Sequence, residues 1–279
     1  MSNERVIVSL TTWRARIRNI PVVLDTIFEQ TKNPDKVILN LAFDEEVPVE
    51  IQNYIENRSI EVFRVPDTKV YKKLIPTLRR YPNDCVISID DDYLYPNTMI
   101  EDFWNTHLKY PFSPISGNRY NYGIDFGGIQ CHCGNASLSK AVFFGEYLSM
   151  IDEELISNCP SDDIVYTFLS TKNHHPYVNT ENLYFENMKH YNPAAPYSSE
   201  DGWKNDIDIS YNYLVKRFGK IDYFNDVLLS YASYDNNLAQ LLEKSMDYTR
   251  AVYKSTYSYK VGHALLSPLS LVKNYLKKR

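Results

Sequence analysis

The stretch CVISIDDDYLYP, residues 85–96, joins an apolar run to three consecutive aspartates. A short, apolar run rich in β-branched residues, such as CVISI, is typical of a buried strand. The aspartates follow this run without a linker, so they lie where the strand ends. In parallel α/β sheets, ligands bind beyond the carboxyl ends of the strands. The stretch therefore predicts an acidic site at one edge of a sheet.

The sequence before this stretch alternates strand and helix patterns. Strand patterns cover residues 6–10, 36–42 and 60–65, and helical patterns cover residues 19–31, 49–56 and 71–82. Strands that alternate with helices imply βαβ units and a mainly parallel sheet. We therefore predict an α/β fold in which a Rossmann-like, mainly parallel sheet is flanked by helices, with a helical appendage at the C-terminus.

Composition limits the class of protein. A chain of 279 residues with 44% hydrophobic and 23% charged residues is expected to form one large domain with a short appendage. We predict a main domain over residues 1–246, with a ligand-binding half over residues 1–100 and a second half over 101–246, and a basic helical tail over 247–279. A net charge of −5 argues against general binding to nucleic acid.

The termini and apolar runs also favour a cytoplasmic protein. No run of about 18 apolar residues predicts a membrane-spanning helix. The N-terminal MSNER is too short and too polar for a signal peptide. Cys85, Cys131, Cys133 and Cys159 are expected to be reduced thiols. The alternative for the triplet centred on His132 is a soft metal site.

The three aspartates point to a cation. Side chains alternate along a strand, so Asp90 and Asp92 are expected on one side and Asp91 on the other. Neighbouring carboxylates repel each other unless a cation or hydrogen-bond donors lie between them. Carboxylate oxygens suit Mg²⁺ or Mn²⁺, which commonly bridge protein and diphosphate oxygens. The alternative is a solvated acidic turn.

Three segments resemble bacterial glycosyltransferases with the GT-A fold. These segments are VSLTTWRARI (8–17), YKKLIPTLRRYPND (71–84) and CVISIDDDYLYP (85–96). Members of that family carry an Asp-x-Asp motif at this strand end. The resemblance implies that Asp90, with Asp91 beside it, contacts the nucleotide. It also implies that Asp92, with Asp90, holds Mn²⁺ or Mg²⁺ on the donor diphosphate.

Further donor-binding candidates lie in the same half of the chain. Thr11, Thr12 and Arg16 follow the first strand, where this fold type holds the nucleoside. Lys73, next to Lys72 at the start of a predicted helix, could reach a phosphate with help from the helix N-terminus. The alternatives are ordinary turn chemistry for the first group and a solvated pair for the lysines.

A second acidic pair, Asp162 and Asp163, precedes a helical pattern. Ser161 is a good N-cap, and acids in the first turn favour the helix dipole, so a purely structural role is one alternative. The resemblance implies instead that Asp163 is the general base for the acceptor hydroxyl and that Asp162 is its neighbour in acceptor binding. It also implies a glycine-bearing loop near the donor sugar at residues 126–143, and His190 as a candidate metal ligand.

The stretch 248–279 is basic and holds no acidic residue. Its seven cationic residues are Arg250, Lys254, Lys260, Lys273, Lys277, Lys278 and Arg279. A short helix is predicted from Ser267, the N-cap, with Pro268 at its first position. An apolar face of Leu269, Val272 and Leu276 with lysines beside it favours an interfacial helix on an anionic membrane. The alternative is a terminal helix that packs on the body.

Together, these features predict a metal-dependent, inverting glycosyltransferase. The expected donor is a nucleotide-diphosphate sugar, with UDP favoured. By the resemblance, the acceptor is a glycan on polyprenyl diphosphate at the inner face of the membrane, as in capsule or O-antigen synthesis. A metal-dependent nucleotidyltransferase is an alternative, although the turn SLTTWRARI (9–17) lacks its glycine-rich phosphate loop. A glycan-binding module is another. The 24 tyrosines suit it, but it leaves two acidic motifs unexplained.

Overall fold

The structure is a computed structural model that describes residues 4–117, 135–180, 183–188, 200–222 and 226. By its internal contacts the chain divides into two units, residues 1–220 and 221–279. The elements below all belong to the first unit. None of the described helices is both long and apolar enough to cross a membrane.

A seven-stranded, mainly parallel sheet forms the centre of this unit. Its strands, in spatial order, are β3 (Glu61–Val65), β2 (Lys36–Ala42), β1 (Val6–Thr11), β4 (Cys85–Ile89), β7 (Ala136–Ser139), β6 (Ile115–Ser116) and β8 (Val178–Asn179). The first four strands pair in parallel. Strand β7 runs antiparallel to both β4 and β6, whereas β6 and β8 are parallel. The sheet confirms the predicted α/β class.

Helices and a small second sheet complete the unit. The α-helices are α1 (Ile20–Phe28), α2 (Val49–Asn57), α3 (Ile75–Arg80), α4 (Met99–Lys109), α5 (Ala141–Phe144), α6 (Glu153–Asn158), α7 (Asp162–Lys172) and α8 (Glu200–Phe218). Short 3₁₀ helices cover Ile17–Asn19, Lys69–Lys73 and Gly145–Leu148. Strands β5 (Tyr93–Leu94) and β9 (Glu186–Asn187) pair antiparallel in the small sheet.

The helix predicted over 71–82 is in fact two elements. A 3₁₀ helix ends at Lys73 and α3 begins at Ile75, because Leu74 lies between them with φ −124° and ψ −52°. Pro76 occupies the first turn of α3, where its missing N–H costs no helical hydrogen bond. The break separates Lys72 and Lys73, which belong to the 3₁₀ helix, from α3.

The core lies on both faces of the central strands, which are buried along nearly their whole length. On one face, Val8 and Leu10 of β1 belong to the main apolar cluster with residues of α1 and α4. On the other face, Asn40 of β2 donates to Ser9 Oγ at 3.0 Å, and Ser9 Oγ lies 2.7 Å from Thr77 Oγ1 of α3. This buried polar network holds α3 against the sheet, next to the strand ends.

Candidate active site

A cavity of about 770 Å³ opens at the carboxyl ends of β1, β2 and β4. Its lining comes from residues 11–16, 42, 44, 45, 67, 69, 70, 72, 73 and 89–91, with Pro160 and Asp206. The donor-site candidates Thr11, Thr12, Arg16, Lys73, Asp90 and Asp91 all lie in this lining. The structure therefore brings together residues that the sequence places on three separate segments.

The acidic turn departs from the strand alternation expected for it. Strand β4 ends at Ile89, and Asp91 and Asp92 lie in the turn that follows. Arg16 contacts both carboxylates, with Nη2 2.9 Å from Asp91 Oδ1 and Nη1 2.6 Å from Asp92 Oδ2. The prediction that Asp91 and Asp92 point to opposite sides is therefore wrong, because the period-two pattern holds only within the strand.

Asp91 lies in the interior beneath the cavity. Its side chain is 2% exposed, and Thr12 Oγ1 donates to its Oδ2 at 2.6 Å. Burial raises the pKa of Asp91 to about 6, against the opposing effects of the Arg16 charge and the Thr12 hydrogen bond. Asp91 thus orients Thr12 and Arg16, which both line the cavity.

Asp90 and Asp92 are more accessible and can serve as cation ligands. Their side chains are 27% and 22% exposed. Burial, and after it the charge of Asp90, raises the pKa of Asp92. A cation at this position would relieve that repulsion. Mg²⁺ and Mn²⁺ sites commonly take one or two carboxylates and complete the shell with phosphates and water, so this donor set fits a hard divalent cation.

Tyr95 fixes the backbone of the acidic turn, and sequence reasoning missed it. Its buried hydroxyl accepts the hydrogen bond of Asp90 N at 2.8 Å, and it lies 2.9 Å from the carbonyl oxygen of Asn135. The strand end is thereby tied to the start of β7. The sequence signal that could have identified Tyr95 is its position, since it follows the acidic triplet in a segment that returns to the core.

Lys73 joins the two acidic motifs. Its Nζ lies 2.9 Å from Asp90 Oδ1 and 3.1 Å from Asp162 Oδ2, and its side chain is only 8% exposed. Lys72 is buried as well and forms an ion pair with Asp67. The alternative of a solvated lysine pair is therefore wrong. The lysines instead neutralise carboxylates at the cavity wall.

The 3₁₀ helix that carries these lysines begins with a residue in a strained conformation. Lys69 begins it with φ 53°, a conformation that costs a non-glycine residue energy and is often found at functional sites. Asp67 stabilises this start, since its carboxylate accepts from Lys69 N at 3.1 Å. Tyr71 donates to the carbonyl of Cys159 at 2.7 Å. The Tyr71 bond and the Lys73 pair hold the segment before α7 at the site.

Asp162 and Asp163 occupy different environments at the start of α7. Asp162 is buried against Lys73, and burial raises its pKa while Lys73 lowers it. Asp163 is half-buried. Ser161 takes the N-cap position but makes no side-chain capping bond, and its N–H donates to Ser210 Oγ at 3.1 Å instead. The arrangement places Asp162 within the charge network and leaves Asp163 more accessible.

Several sequence-based predictions lie outside the described residues. These are the metal ligand His190, most of the predicted glycine-bearing loop, the triplet Cys131, His132 and Cys133, and the basic tail 247–279. They remain predictions.

The fold is similar to that of a solved mannosyltransferase and, less closely, to that of two further solved structures. The mannosyltransferase PcManGT from Pyrobaculum calidifontis, in complex with GDP-Man and Mn²⁺, gives a TM-score of 0.56 at 16% identity over 97% of this chain and 81% of that one. Residues 1–349 of S. aureus TarS, in complex with UDP-GlcNAc, give 0.49 at 10% identity over 85% of this chain and 83% of that one. A 4-diphosphocytidyl-2C-methyl-D-erythritol synthase gives 0.45 at 9% identity over 74% of this chain and 100% of that one.

The likeness to PcManGT shows the fold, which is that of the GT-A type. No family model matches the sequence, and no curated protein is similar to it at a significant level.

Proposed function

We propose that the chain is a metal-dependent glycosyltransferase that moves a sugar from a nucleoside-diphosphate donor to a hydroxyl of a glycan acceptor. One observation carries the proposal: Lys73 joins the acidic turn after β4 to the acidic pair of α7 at a cavity of about 770 Å³. A donor-binding motif and an acceptor-activating motif then share one site. Ligand cavities commonly measure about 300–1,000 Å³, a range that includes this one.

The cavity suits a nucleotide. Arg14, Arg16 and Lys69 in its lining attract a diphosphate. Trp13, which is 44% exposed and also lines the cavity, offers an aromatic face on which a base can stack. The favoured donor is a UDP-sugar, with GDP-sugars as the other nucleotide class to test.

Asp92, assisted by Asp90, would hold Mn²⁺ or Mg²⁺. When bound, the metal supplies positive charge that neutralises the leaving diphosphate. Arg16 forms an ion pair with Asp92, so the guanidinium and the metal would compete for one carboxylate. We expect Arg16 to transfer its hydrogen bonds from Asp92 to the diphosphate when the donor binds, while its contact with the buried Asp91 persists.

Asp163 would be the general base. It takes the proton of the acceptor hydroxyl as that oxygen attacks the anomeric carbon from the face opposite the diphosphate, which inverts the configuration. Asp162 acts through Lys73 and keeps the base next to the donor site. The proposed acceptor is a polyprenyl-diphosphate-linked glycan, met by a protein peripheral to the inner face of the membrane.

A screen of nucleotide-sugar hydrolysis tests the proposal without an acceptor. Wild-type protein with Mn²⁺ is expected to release the free nucleoside diphosphate slowly from one donor in a panel of UDP- and GDP-sugars. Pyrophosphate release from a nucleoside triphosphate and a sugar phosphate would instead identify a nucleotidyltransferase. No turnover, together with binding of free glycan in the absence of nucleotide and metal, would identify a glycan-binding module.

A further inference from the structure

Three potential metal ligands meet at the opposite edge of the sheet, which we term the amino edge because β1 and β4 begin there. Glu4 precedes β1, Cys85 is the first residue of β4, and His107 lies in the last turn of α4. One ligand atom from each lies within 4.8 Å of the other two. Glu4 Oε2 is 3.1 Å from His107 Nε2 and 3.9 Å from Cys85 Sγ. Among the described residues, this is the one group of three with such spacing.

The cluster is enclosed but reachable. Cys85 and His107 are buried, while the Glu4 carboxylate remains partly accessible. A cavity of about 310 Å³ includes Glu4 and His107, but not Cys85, in its lining, so two of the three ligands border open space. It lies apart from the candidate active site, with which it shares no lining residue.

The donor set selects a different metal from the one proposed for the active site. Thiolate, imidazole and carboxylate together are ligands that Zn²⁺ prefers, at about 2.0–2.3 Å each. Mg²⁺ and Mn²⁺ favour oxygen ligands. Ligand atoms on a tetrahedral Zn²⁺ at these bond lengths lie about 3–4 Å apart, so the distances of 3.1 and 3.9 Å need little change.

Lys140 fits this interpretation because of the atom that it contacts. Its Nζ lies 2.6 Å from Glu4 Oε1, whereas His107 and Cys85 face Oε2. A ligating carboxylate is commonly held by a hydrogen bond to its other oxygen. A network of Glu4, His107 and Lys140 alone would account for the ion pairs, but it would give no role to the thiol that faces the same carboxylate oxygen.

We propose that Glu4, Cys85 and His107 bind one Zn²⁺, with water as the fourth ligand and with release of the thiol proton. The ion would join the start of β1, the start of β4 and the end of α4. This site is independent of the proposed transferase activity.

Cobalt substitution tests the site with a spectroscopic readout. A thiolate bound to Co²⁺ gives a near-ultraviolet charge-transfer band that carboxylate ligands do not give. The measurement uses the full chain carrying Cys131→Ser and Cys133→Ser, so that those thiols do not contribute. The band is expected in this background, lost in Cys85→Ser and retained in Cys159→Ser, which removes the other buried free cysteine described. No band in the background, or an equal band in Cys85→Ser, would overturn the proposal.

Thermal shifts with Zn²⁺ supply a second readout that does not depend on the thiol. The comparison uses Asp92→Ala, which removes the proposed active-site ligand, in the same Cys131→Ser and Cys133→Ser background, with and without Glu4→Gln. Zn²⁺ is expected to raise the melting temperature of Asp92→Ala and to have little effect once Glu4→Gln is added. If both proteins respond equally, the cluster is an ion-pair network only.

Discussion

The two edges of the central sheet both carry charged residues, yet they use them differently. At the amino edge, Asp84 forms two side-chain bonds with Arg5, at 2.6 and 3.2 Å, and Asp35 accepts the N–H of Val6 at 2.7 Å. These bonds pair polar groups that lie where β1 and β4 begin. At the carboxyl edge, the charges surround a cavity of about 770 Å³. Charge density alone therefore does not mark a functional site. Charge beside a cavity is the stronger sign, and both the candidate active site and the cluster of Glu4, Cys85 and His107 have it.

The largest effect is expected from Asp92→Ala at the carboxyl edge. Transfer and metal-dependent nucleotide binding should be abolished, because the variant removes the proposed metal ligand while the buried strand β4 keeps the fold. Calorimetry with UDP and Mn²⁺, together with a melting curve, measures both properties. Glu56→Ala, at an exposed position on α2, is the control and should behave as wild type. Full activity of the wild type in EDTA would refute metal dependence.

Within the second acidic pair, we expect Asp163→Asn to lose turnover and Asp162→Asn to lose stability. Asp163→Asn should lower turnover by about 10²–10⁴-fold with donor binding intact, the usual share of general-base catalysis. Asp162→Asn should mainly lower stability, by on the order of 3 kcal/mol, because the buried Lys73 loses one of its two carboxylates. Single-turnover rates and urea unfolding separate these outcomes. Near wild-type turnover in Asp163→Asn with an inactive, stable Asp162→Asn would reverse the assignment.

Arg16→Ala tests whether the guanidinium exchanges between Asp92 and the diphosphate. Affinity for UDP should fall by about 10–100-fold, which corresponds to the loss of about 1.5–3 kcal/mol of charged hydrogen bonds. Affinity for Mn²⁺ without nucleotide should rise, since Arg16 no longer competes for Asp92. Titration of Mn²⁺ by its electron paramagnetic resonance signal gives the second value. Weaker Mn²⁺ binding in Arg16→Ala would contradict the exchange, and Arg16→Lys shows whether charge alone is sufficient.

At the amino edge, Asp84→Asn should change stability and not catalysis. The variant weakens the pair with Arg5 that holds the start of β1 beside β4. The melting temperature should fall, while kcat and KM for the donor stay within error of wild type. A loss of turnover without a loss of stability would show that the two edges are not separated in function.

Deletion of residues 267–279 should have the smallest effect, because it removes none of the residues proposed to act at either edge. Donor hydrolysis should be unchanged, whereas transfer to a lipid-linked acceptor in vesicles should decrease. Each basic residue near an anionic surface contributes about 1 kcal/mol, and salt weakens that contribution. Vesicle flotation of full-length and truncated protein decides the point. Equal flotation would favour a helix that packs on the protein.

The comparison of the edges also shows what sequence reasoning could reach. Strand β2 was predicted with its observed bounds, Lys36–Ala42, and β4 with Cys85–Ile89, because buried parallel strands are continuous apolar runs bounded by polar residues. The position of the acidic turn followed from β4. Local patterns carry this information, so the fold class was predictable.

Contacts between distant segments were not predictable in the same way. The Lys73 bridge depends on the break at Leu74 and on where α7 begins. The hydroxyl of Tyr95 reaches Asn135 across the fold. Neither contact has a periodicity or a motif, since each arises only after the sheet has brought the segments together. The roles of Asp162 and Asp163 likewise follow from the resemblance and not from a local pattern.

The position of β1 in the sheet also has a consequence for biosynthesis. β1 pairs with β2 on one side, but its partner on the other side is β4. A ribosome adds about 5–20 residues per second. One side of β1 therefore stays unpaired for several seconds, until Cys85–Ile89 has been synthesised. During that interval a nascent hydrophobic strand is open to mispairing, so a pause in translation before β4 should increase the demand of this protein for chaperones.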